Sequence, residues 1–283
     1  SKYRLKEQPL VSVIIPNKDH TEDLDKCIRS IEEKGTYKNI EYIVIENNSE
    51  KKEPFAYYEK LQAENPKVKV VFWEREFNYS AINNYGVGFA KGEYLLFLNN
   101  DTEIINPDCI EELLGYCMRD DVGIVGARLY YEDDTIQHVG VIIGLGGVAG
   151  HTFVGEPKDS LGYFGRIVTA QDYSAVTAAC LMTKRKVFEK VNGFEEKLAV
   201  AFNDVDFCLK VREAGYLVVY NPYAELHHYE SKSRGLEDTE EKVLRFQGEI
   251  RTFQYRWKEI LNEGDPYYSP NLTLDKTDFS LRI

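Results

Sequence analysis

Asn99-Asn100-Asp101 places one carboxylate and two amides directly after the apolar run Tyr94-Leu95-Leu96-Phe97-Leu98. The run reads as a short buried strand, and the polar triplet that ends it must turn toward solvent. Hard divalent cations take oxygen ligands and commonly keep phosphate oxygens and water in their shell. A single protein carboxylate at such a strand end therefore suffices when a second ligand arrives from elsewhere in the chain. Solvated turns are the ordinary use of the same residue types, so the triplet takes its meaning from what surrounds it.

Two other strand ends are polar in the same way. Val11-Ser12-Val13-Ile14-Ile15 is stopped by Pro16 and followed by Asn17-Lys18-Asp19; Tyr42-Ile43-Val44-Ile45 is followed by Glu46-Asn47-Asn48-Ser49. Leu24, Cys27, Ile28 and Ile31 mark one helix face, residues 54–64 and 79–91 read as helices, and 68–73 as extended. This alternation predicts βαβ units and a mostly parallel sheet covered on both faces, with ligands collecting beyond the carboxyl ends of the strands. None of the three loops carries Gly-x-Gly-x-x-Gly or Gly-x-x-x-x-Gly-Lys-Ser/Thr, which excludes a dinucleotide-binding Rossmann loop and a P-loop.

Beyond residue 120 the spacing predicts strands over 123–127 and 136–143, a glycine-rich turn at 144–147, and a loop or lid over 151–166. Residues 176–182 are small and apolar, and helices are expected over 186–191 and 204–214. Asp238 with Glu241 forms a capping box for a last helix that Gly264 and Pro266 stop. Val243, Phe246, Ile250, Phe253, Trp257 and Ile260 step by three and four along it, a stripe expected to pack on the body of the domain in preference to a subunit seam. With the polar and aromatic tail at 265–283, expected to dock, the stripe also leaves a homo-oligomer open.

The 283 residues are 43% hydrophobic and 13% aromatic, which rules out a disordered chain and supports a large core. A net charge of -12 opposes nucleic acid and anionic membranes as partners. Five scattered cysteines without a Cys-x-x-Cys pair read as reduced, buried thiols. No apolar run is long enough to span a bilayer and no signal core opens the sequence, so the expected location is cytoplasmic. The start just before the first strand is that expected of one domain cut from a longer enzyme.

Four blocks occur in order: Val11-Ser12-Val13-Ile14-Ile15-Pro16-Asn17, Asn99-Asn100-Asp101, Phe202-Asn203-Asp204-Val205-Asp206 and His228-Tyr229-Glu230-Ser231-Lys232-Ser233-Arg234-Gly235. Together they resemble the family 2 glycosyltransferases over residues 10 to 236. The resemblance implies an α/β GT-A fold with a Rossmann-like, mostly parallel central sheet, a nucleotide-sugar donor, a divalent metal, and inversion at the anomeric carbon. It divides residues 1–236 into a nucleotide-sugar half, about 10–127, and an acceptor half, about 128–236, with 237–283 a C-terminal amphipathic helix and tail. Relatives resembling this version, with Ile136-Gln137-His138 and Val176-Thr177-Ala178-Ala179-Cys180, build bacterial surface polysaccharides or glycoprotein glycans.

Carried across by position, Pro16, Asn17 and Asp19 correspond to the first nucleotide loop. Glu46 and Asn48 lie in the second, where an acid would accept the imide N–H of uracil or thymine. Asn78, Asn84 and Asn100 match polar donor-side positions. Asp101 and His228 are the implied metal ligands; an imidazole favours Mn2+, with Mg2+ still admissible, and the adjacent His227 is the alternative ligand. Asp204 is the implied general base, and Asp206, two residues along the helix, faces away and is structural. Lys232 and Arg234 would meet the departing diphosphate. Asn99 and Asn203 stand where the family more often has acids. Gln254-Tyr255-Arg256-Trp257 resembles part of a processive-synthase signature, but Phe253 occupies the position where glutamine is required. His138 and His151 flank the glycine-rich stretch, where structural roles are favoured over shaping the acceptor side.

The leading expectation is transfer of one sugar from a nucleotide sugar, a UDP-hexose first, to a glycan, glycolipid or glycoprotein acceptor. UDP-glucose, UDP-galactose and dTDP-rhamnose all remain open. A noncatalytic nucleotide- or carbohydrate-binding module is the competing class, motivated by Asn99 and Asn203.

Overall fold

The structure is a computed structural model that describes residues 5–229 and 239–282. Its N-terminal part alternates β1 (Val11–Asn17), α1 (Thr21–Arg29), β2 (Ile40–Glu46), α2 (Glu53–Glu64), β3 (Val68–Phe72), α3 (Tyr79–Val87) and β4 (Tyr94–Leu98). β5 (Thr102–Ile104), α4 (Cys109–Cys117), β6 (Val122–Tyr130), β7 (Ile136–His138), β8 (Val141–Ile143), β9 (Ala149–His151) and β10 (Gln171–Asp172) follow. β11 (Cys180–Lys184), α5 (Arg185–Lys190), α6 (Asn203–Glu213), β12 (Leu217–His228), α7 (Glu240–Arg256) and α8 (Lys258–Glu263) complete the order.

Ten strands form one mixed sheet in the order β3-β2-β1-β4-β11-β6-β12-β10, with β5 also on β12 and β7 on β6. β1 to β4 are parallel, as is the long β6–β12 pair, and β11 runs against both of its neighbours. Successive residues of the central strands enter different cores: Ile14 and Phe97 one, Val13, Ile15, Leu96 and Leu98 the other. Burial on both faces is what makes these strands unbroken apolar runs. α1, α2 and α4 cover one face; α3, α5, α6, the last helices and the tail cover the other.

Several expectations shift. The strand expected over 136–143 is two strands, because Gly140 has φ +113° and the Tyr173 ring lies 2.6 Å from where a Cβ would be. α3 stops at Val87, short of residue 91, so that the chain can turn at Gly92 and enter β4 beside β1; the Gly92 N–H donates to Ser12 Oγ at 2.8 Å. α7 is capped by Thr239, whose Oγ1 accepts from the Lys242 N–H at 3.3 Å; Asp238, the first residue of the expected capping box, lies outside the described residues. Along the stripe, Phe253 and Trp257 are buried and Ile250 and Ile260 pack against the same core, whereas Val243 and Phe246 stay more than a third exposed. The tail docks through Tyr268, Leu272 and Phe279. All five cysteines are free and buried. Among the described residues no helix is long and apolar enough to cross a membrane.

Candidate active site

Asp101 leaves β4 one residue before β5 begins, and β5 pairs antiparallel with the end of β12, setting His228 opposite Thr102. The Tyr229 N–H donates to the Asp101 carbonyl at 2.9 Å, extending that register. This pairing brings a histidine from the far end of the sheet to the triplet: His228 Nε2 lies 3.2 Å from Asp101 Oδ1. Both residues are buried, and among the described residues that Oδ1 has no hydrogen-bond partner. Burial alone would raise the Asp101 carboxyl, but the His228 imidazole and the local backbone hold it below its ordinary range. A buried, ionised oxygen without a donor, facing an imidazole nitrogen, is a pair that a cation fits. Among the described residues no cluster of three or more His, Cys, Asp or Glu surrounds them, so the rest of a coordination shell would come from amide oxygen, phosphate and water. His227 points elsewhere, its Nε2 2.8 Å from Asp134 Oδ1, as alternation along a strand requires.

Asp204 sits in the first turn of α6, after Phe202 in a left-handed conformation (φ 59°). Its Oδ2 accepts the Ala178 N–H at 3.1 Å. Asp204, Asp101, His228, Asn99, Gln137 and His151 line one cavity of about 320 Å³. Asp206 turns away into the core and accepts from Arg256 Nε at 2.8 Å and Trp257 Nε1 at 2.9 Å, joining α6 to the end of α7. Asn203 is buried and donates to the Val200 carbonyl at 3.1 Å.

The loop before α6 is held by a residue the sequence reading passed over. Buried Glu249 accepts from the Val200 and Ala201 N–H groups at 2.8 and 3.2 Å. Its signal was its position, between Phe246 and Ile250 on the apolar stripe. Phe246, from the same stripe, stacks on Phe202 at 5.9 Å and reaches the cavity. His138 is fully buried: its Nε2 accepts the Thr177 N–H at 3.1 Å and its Nδ1 donates to the Ala127 carbonyl at 2.9 Å, a structural role. Burial holds its pKa well below the usual imidazole range, which keeps it neutral.

The loops that follow β1 and β2 are tied to the triplet by a buried chain of hydrogen bonds. Asn100 Nδ2 donates to Asn17 Oδ1 at 2.7 Å, Asn17 Nδ2 to the Tyr58 hydroxyl at 2.7 Å, and that hydroxyl to Glu46 Oε2 at 2.5 Å. Glu46 also accepts from Ser49 N and Oγ and is 2% exposed, so in this structure it organises the second loop. Tyr58→Phe would leave the Asn17 amide short of an acceptor and Glu46 short of a donor. We expect a loss of about 1–3 kcal/mol in a urea titration.

Asp19, in a left-handed conformation (φ 59°), accepts from the Glu50 and Lys51 N–H groups at 2.9 and 3.0 Å and so staples the first loop to the second. Burial acts to raise the Asp19 carboxyl, and the two amides and nearby lysines bring it below its ordinary 3.8. A depressed carboxyl stabilises the fold above its unfolded value and loses that contribution as pH falls through its lower folded value. Stability of the wild type should therefore fall with pH below about 4 more steeply than that of Asp19→Asn, in thermal melts across that range.

Asn78 caps α3, accepting from the Ala81 N–H and donating to the Glu196 carbonyl, and Asn84 bonds both backbone groups of Phe194 and its partner loop. Both amides hold that loop. Asn48 is exposed at φ 53°, with its amide on the Arg75 carbonyl; Pro16 is half-buried and does not stop β1, which runs on to Asn17 with Pro16 opposite Ile45. Lys232 and Arg234 lie outside the described residues.

The family profile "Glycosyl transferase family 2" matches residues 12–191. The chain belongs to this family. The match covers Asp101 and the loops that follow β1 and β2 but stops before Asp204 and His228, which the geometry above adds. Among curated relatives of this family 2 chain, an uncharacterized protein, y4gI, of Sinorhizobium fredii is 47% identical over 274 residues, 96% of this chain and 30% of the relative. The O-antigen biosynthesis protein RfbC of Myxococcus xanthus is 37% identical over 283 residues, 99% of this chain and 22% of its own. The chain thus spans less than a third of either relative.

Among solved structures, GalNAc-T7 with UDP, GalNAc and Mn2+ superposes with a TM-score of 0.71 at 15% identity, over 91% of this chain and 49% of that one. The mannosyltransferase PcManGT of Pyrobaculum calidifontis, in complex with GDP-Man and Mn2+, gives 0.60 at 14% identity, over 81% and 59%. At such identities the likeness is one of fold, and the fold of this family 2 domain is GT-A.

Proposed function

We propose that this family 2 domain catalyses metal-dependent, inverting transfer of one sugar from a nucleotide-sugar donor, a UDP-hexose, to a hydroxyl of a growing bacterial glycan or glycoprotein glycan. The observation that carries the reading is the cavity shared by Asp204 and the Asp101–His228 pair, with its unpartnered carboxylate oxygen. When bound, a divalent cation, Mn2+ ahead of Mg2+ because of the imidazole, neutralises charge on the leaving diphosphate. Asp101 and His228 would hold it, with the Asn99 side chain in reach of His228 at 3.1 Å. The Asn17–Asn100 hydrogen bond fixes the donor loop relative to that pair.

In the reaction the acceptor oxygen bonds to the anomeric carbon as the bond from that carbon to the diphosphate oxygen breaks. Asp204 takes the acceptor's proton, and a nucleoside diphosphate leaves. Attack opposite the leaving group inverts the anomeric configuration. Pro16, Asn17, Asn48 and Asn100 form the donor side, Lys232 and Arg234 are assigned to the departing diphosphate, and residues from about 128 onward form the acceptor half.

The test is a panel of nucleotide sugars assayed for Mn2+-stimulated release of nucleoside diphosphate, with the anomeric configuration of any product read by NMR. Metal-dependent release with inversion supports the proposal. Nucleotide binding with no release under any metal would favour the noncatalytic module that Asn99 and Asn203 suggested.

A further inference from the structure

We infer that Gln137 is the positioning residue that fixes His228 in the tautomer a cation requires; the inference rests on the metal reading above. Gln137 lies on β7, 3% exposed, and grips His228 at two points. Its Nε2 donates to the His228 carbonyl at 3.1 Å, and its Oε1 lies 2.7 Å from His228 Nδ1. The first contact fixes which end of the amide faces which group: a carbonyl accepts only, so the amide nitrogen must point to it and the amide oxygen to the ring. An oxygen facing Nδ1 at that distance accepts a proton from it, so Nδ1 carries the hydrogen and the neutral ring keeps its lone pair on Nε2.

The Asn99 amide as placed is compatible with that tautomer. Asn99 Nδ2, which can only donate, lies 3.1 Å from Nε2. Nε2 lies 3.2 Å from Asp101 Oδ1, so once a cation takes the place of any proton between them the two atoms would offer it two lone pairs. Without Gln137 the proton is free to move to Nε2 and pair with Asp101, and the nitrogen is lost to the metal. The ring would also be free to rotate about its χ2 bond. Metal-ligating histidines generally need such a partner on the other nitrogen, and its removal typically weakens metal binding roughly 10–100-fold.

The same residue anchors a second imidazole on the cavity wall. Its main-chain carbonyl accepts from His151 Nδ1 at 3.0 Å, and His151 lines the cavity with His228. Only the side-chain contact distinguishes Gln137 from any other residue at that point of the strand, so substitutions there address His228 and leave the His151 contact in place.

The experiment compares wild type, Gln137→Met, Gln137→Glu and His228→Ala. Mn2+ affinity is measured in the presence of UDP by the loss of the free-ion EPR signal, and nitrogen modulation of the bound ion is read by spin-echo spectroscopy. Gln137→Met keeps shape without either polar contact, and we expect roughly 10–100-fold weaker Mn2+ binding and loss of the imidazole modulation. Gln137→Glu keeps an oxygen acceptor for Nδ1–H, so it should bind Mn2+ at least as well as wild type with the modulation retained; it carries the test if the methionine variant does not fold. Wild-type affinity and modulation in folded Gln137→Met would overturn the inference, as would a Gln137→Glu variant as impaired as His228→Ala. Undiminished Mn2+ binding in His228→Ala would instead overturn the metal reading beneath it.

Discussion

Asp204→Asn is expected to lower kcat by roughly 10²–10⁴-fold while leaving the affinity for donor and metal unchanged, the range that a positioned general base supplies. Asparagine has the same shape and keeps a side-chain oxygen for the Ala178 N–H, which Asp204 Oδ2 accepts at 3.1 Å. The Val205 N–H, which Asp204 Oδ1 accepts at 2.8 Å, would face the new amide nitrogen, so a melting curve should accompany the kinetics and show a folded variant with one local bond lost. What disappears is the capacity to take a proton. A residue that acts only as attack proceeds affects kcat and kcat/KM together, whereas one that merely holds the donor affects KM alone. Steady-state kinetics paired with equilibrium titration of UDP and Mn2+ separate the two. A fall in donor affinity with kcat preserved would move Asp204 from the chemistry to the binding of the sugar.

Asp101→Asn should remove metal-supported catalysis by a different route. The substitution takes away the buried carboxylate in contact with His228 and leaves an amide that binds a cation weakly. With several kcal/mol of transition-state stabilisation attributed to a bound metal, and 1.36 kcal/mol per tenfold, roughly a 10²-fold or greater loss in kcat/KM is expected. Mn2+ affinity should fall with it. The fold should lose a little stability, because His228 and the local backbone outweigh burial and hold the Asp101 carboxyl below its ordinary range, so the ionised group contributes to folding at neutral pH. A folded variant with a slightly lowered melting temperature beside lost activity and lost Mn2+ binding is thus the diagnostic combination. A variant that is both inactive and unfolded would instead make Asp101 a structural residue.

The central strands were legible because burial on both faces leaves no alternation to misread, and Val11 to Ile15, Tyr42 to Ile45 and Tyr94 to Leu98 are almost wholly buried. The ends of those strands located the site for the same reason: apolar runs stop where the sheet meets solvent. Asp101, Asp204 and His228 were found through blocks whose order along the chain carried a resemblance, and the structure gathers them around one cavity.

Long-range contacts escaped the sequence. Glu46 was expected to read a base, and in this structure a hydroxyl from Tyr58 on the next helix donates to it. Asn78 and Asn84 were expected at the donor and hold the loop at 194–196, more than a hundred residues away. Gln137 reaches His228 across 91 positions, a separation at which no local pattern signals a partner. The break between β7 and β8 depends on a tyrosine ring packed over Gly140, which spacing within the strand does not reveal.

A crystal grown with Mn2+ and UDP, with data collected at the manganese absorption edge, tests the central claim most directly. An anomalous peak bonded to Asp101 Oδ1, His228 Nε2 and the diphosphate oxygens, with Asp204 open to the cavity on the sugar side, is the expected result. UDP bound with no such peak, or with manganese held away from both side chains, would contradict it.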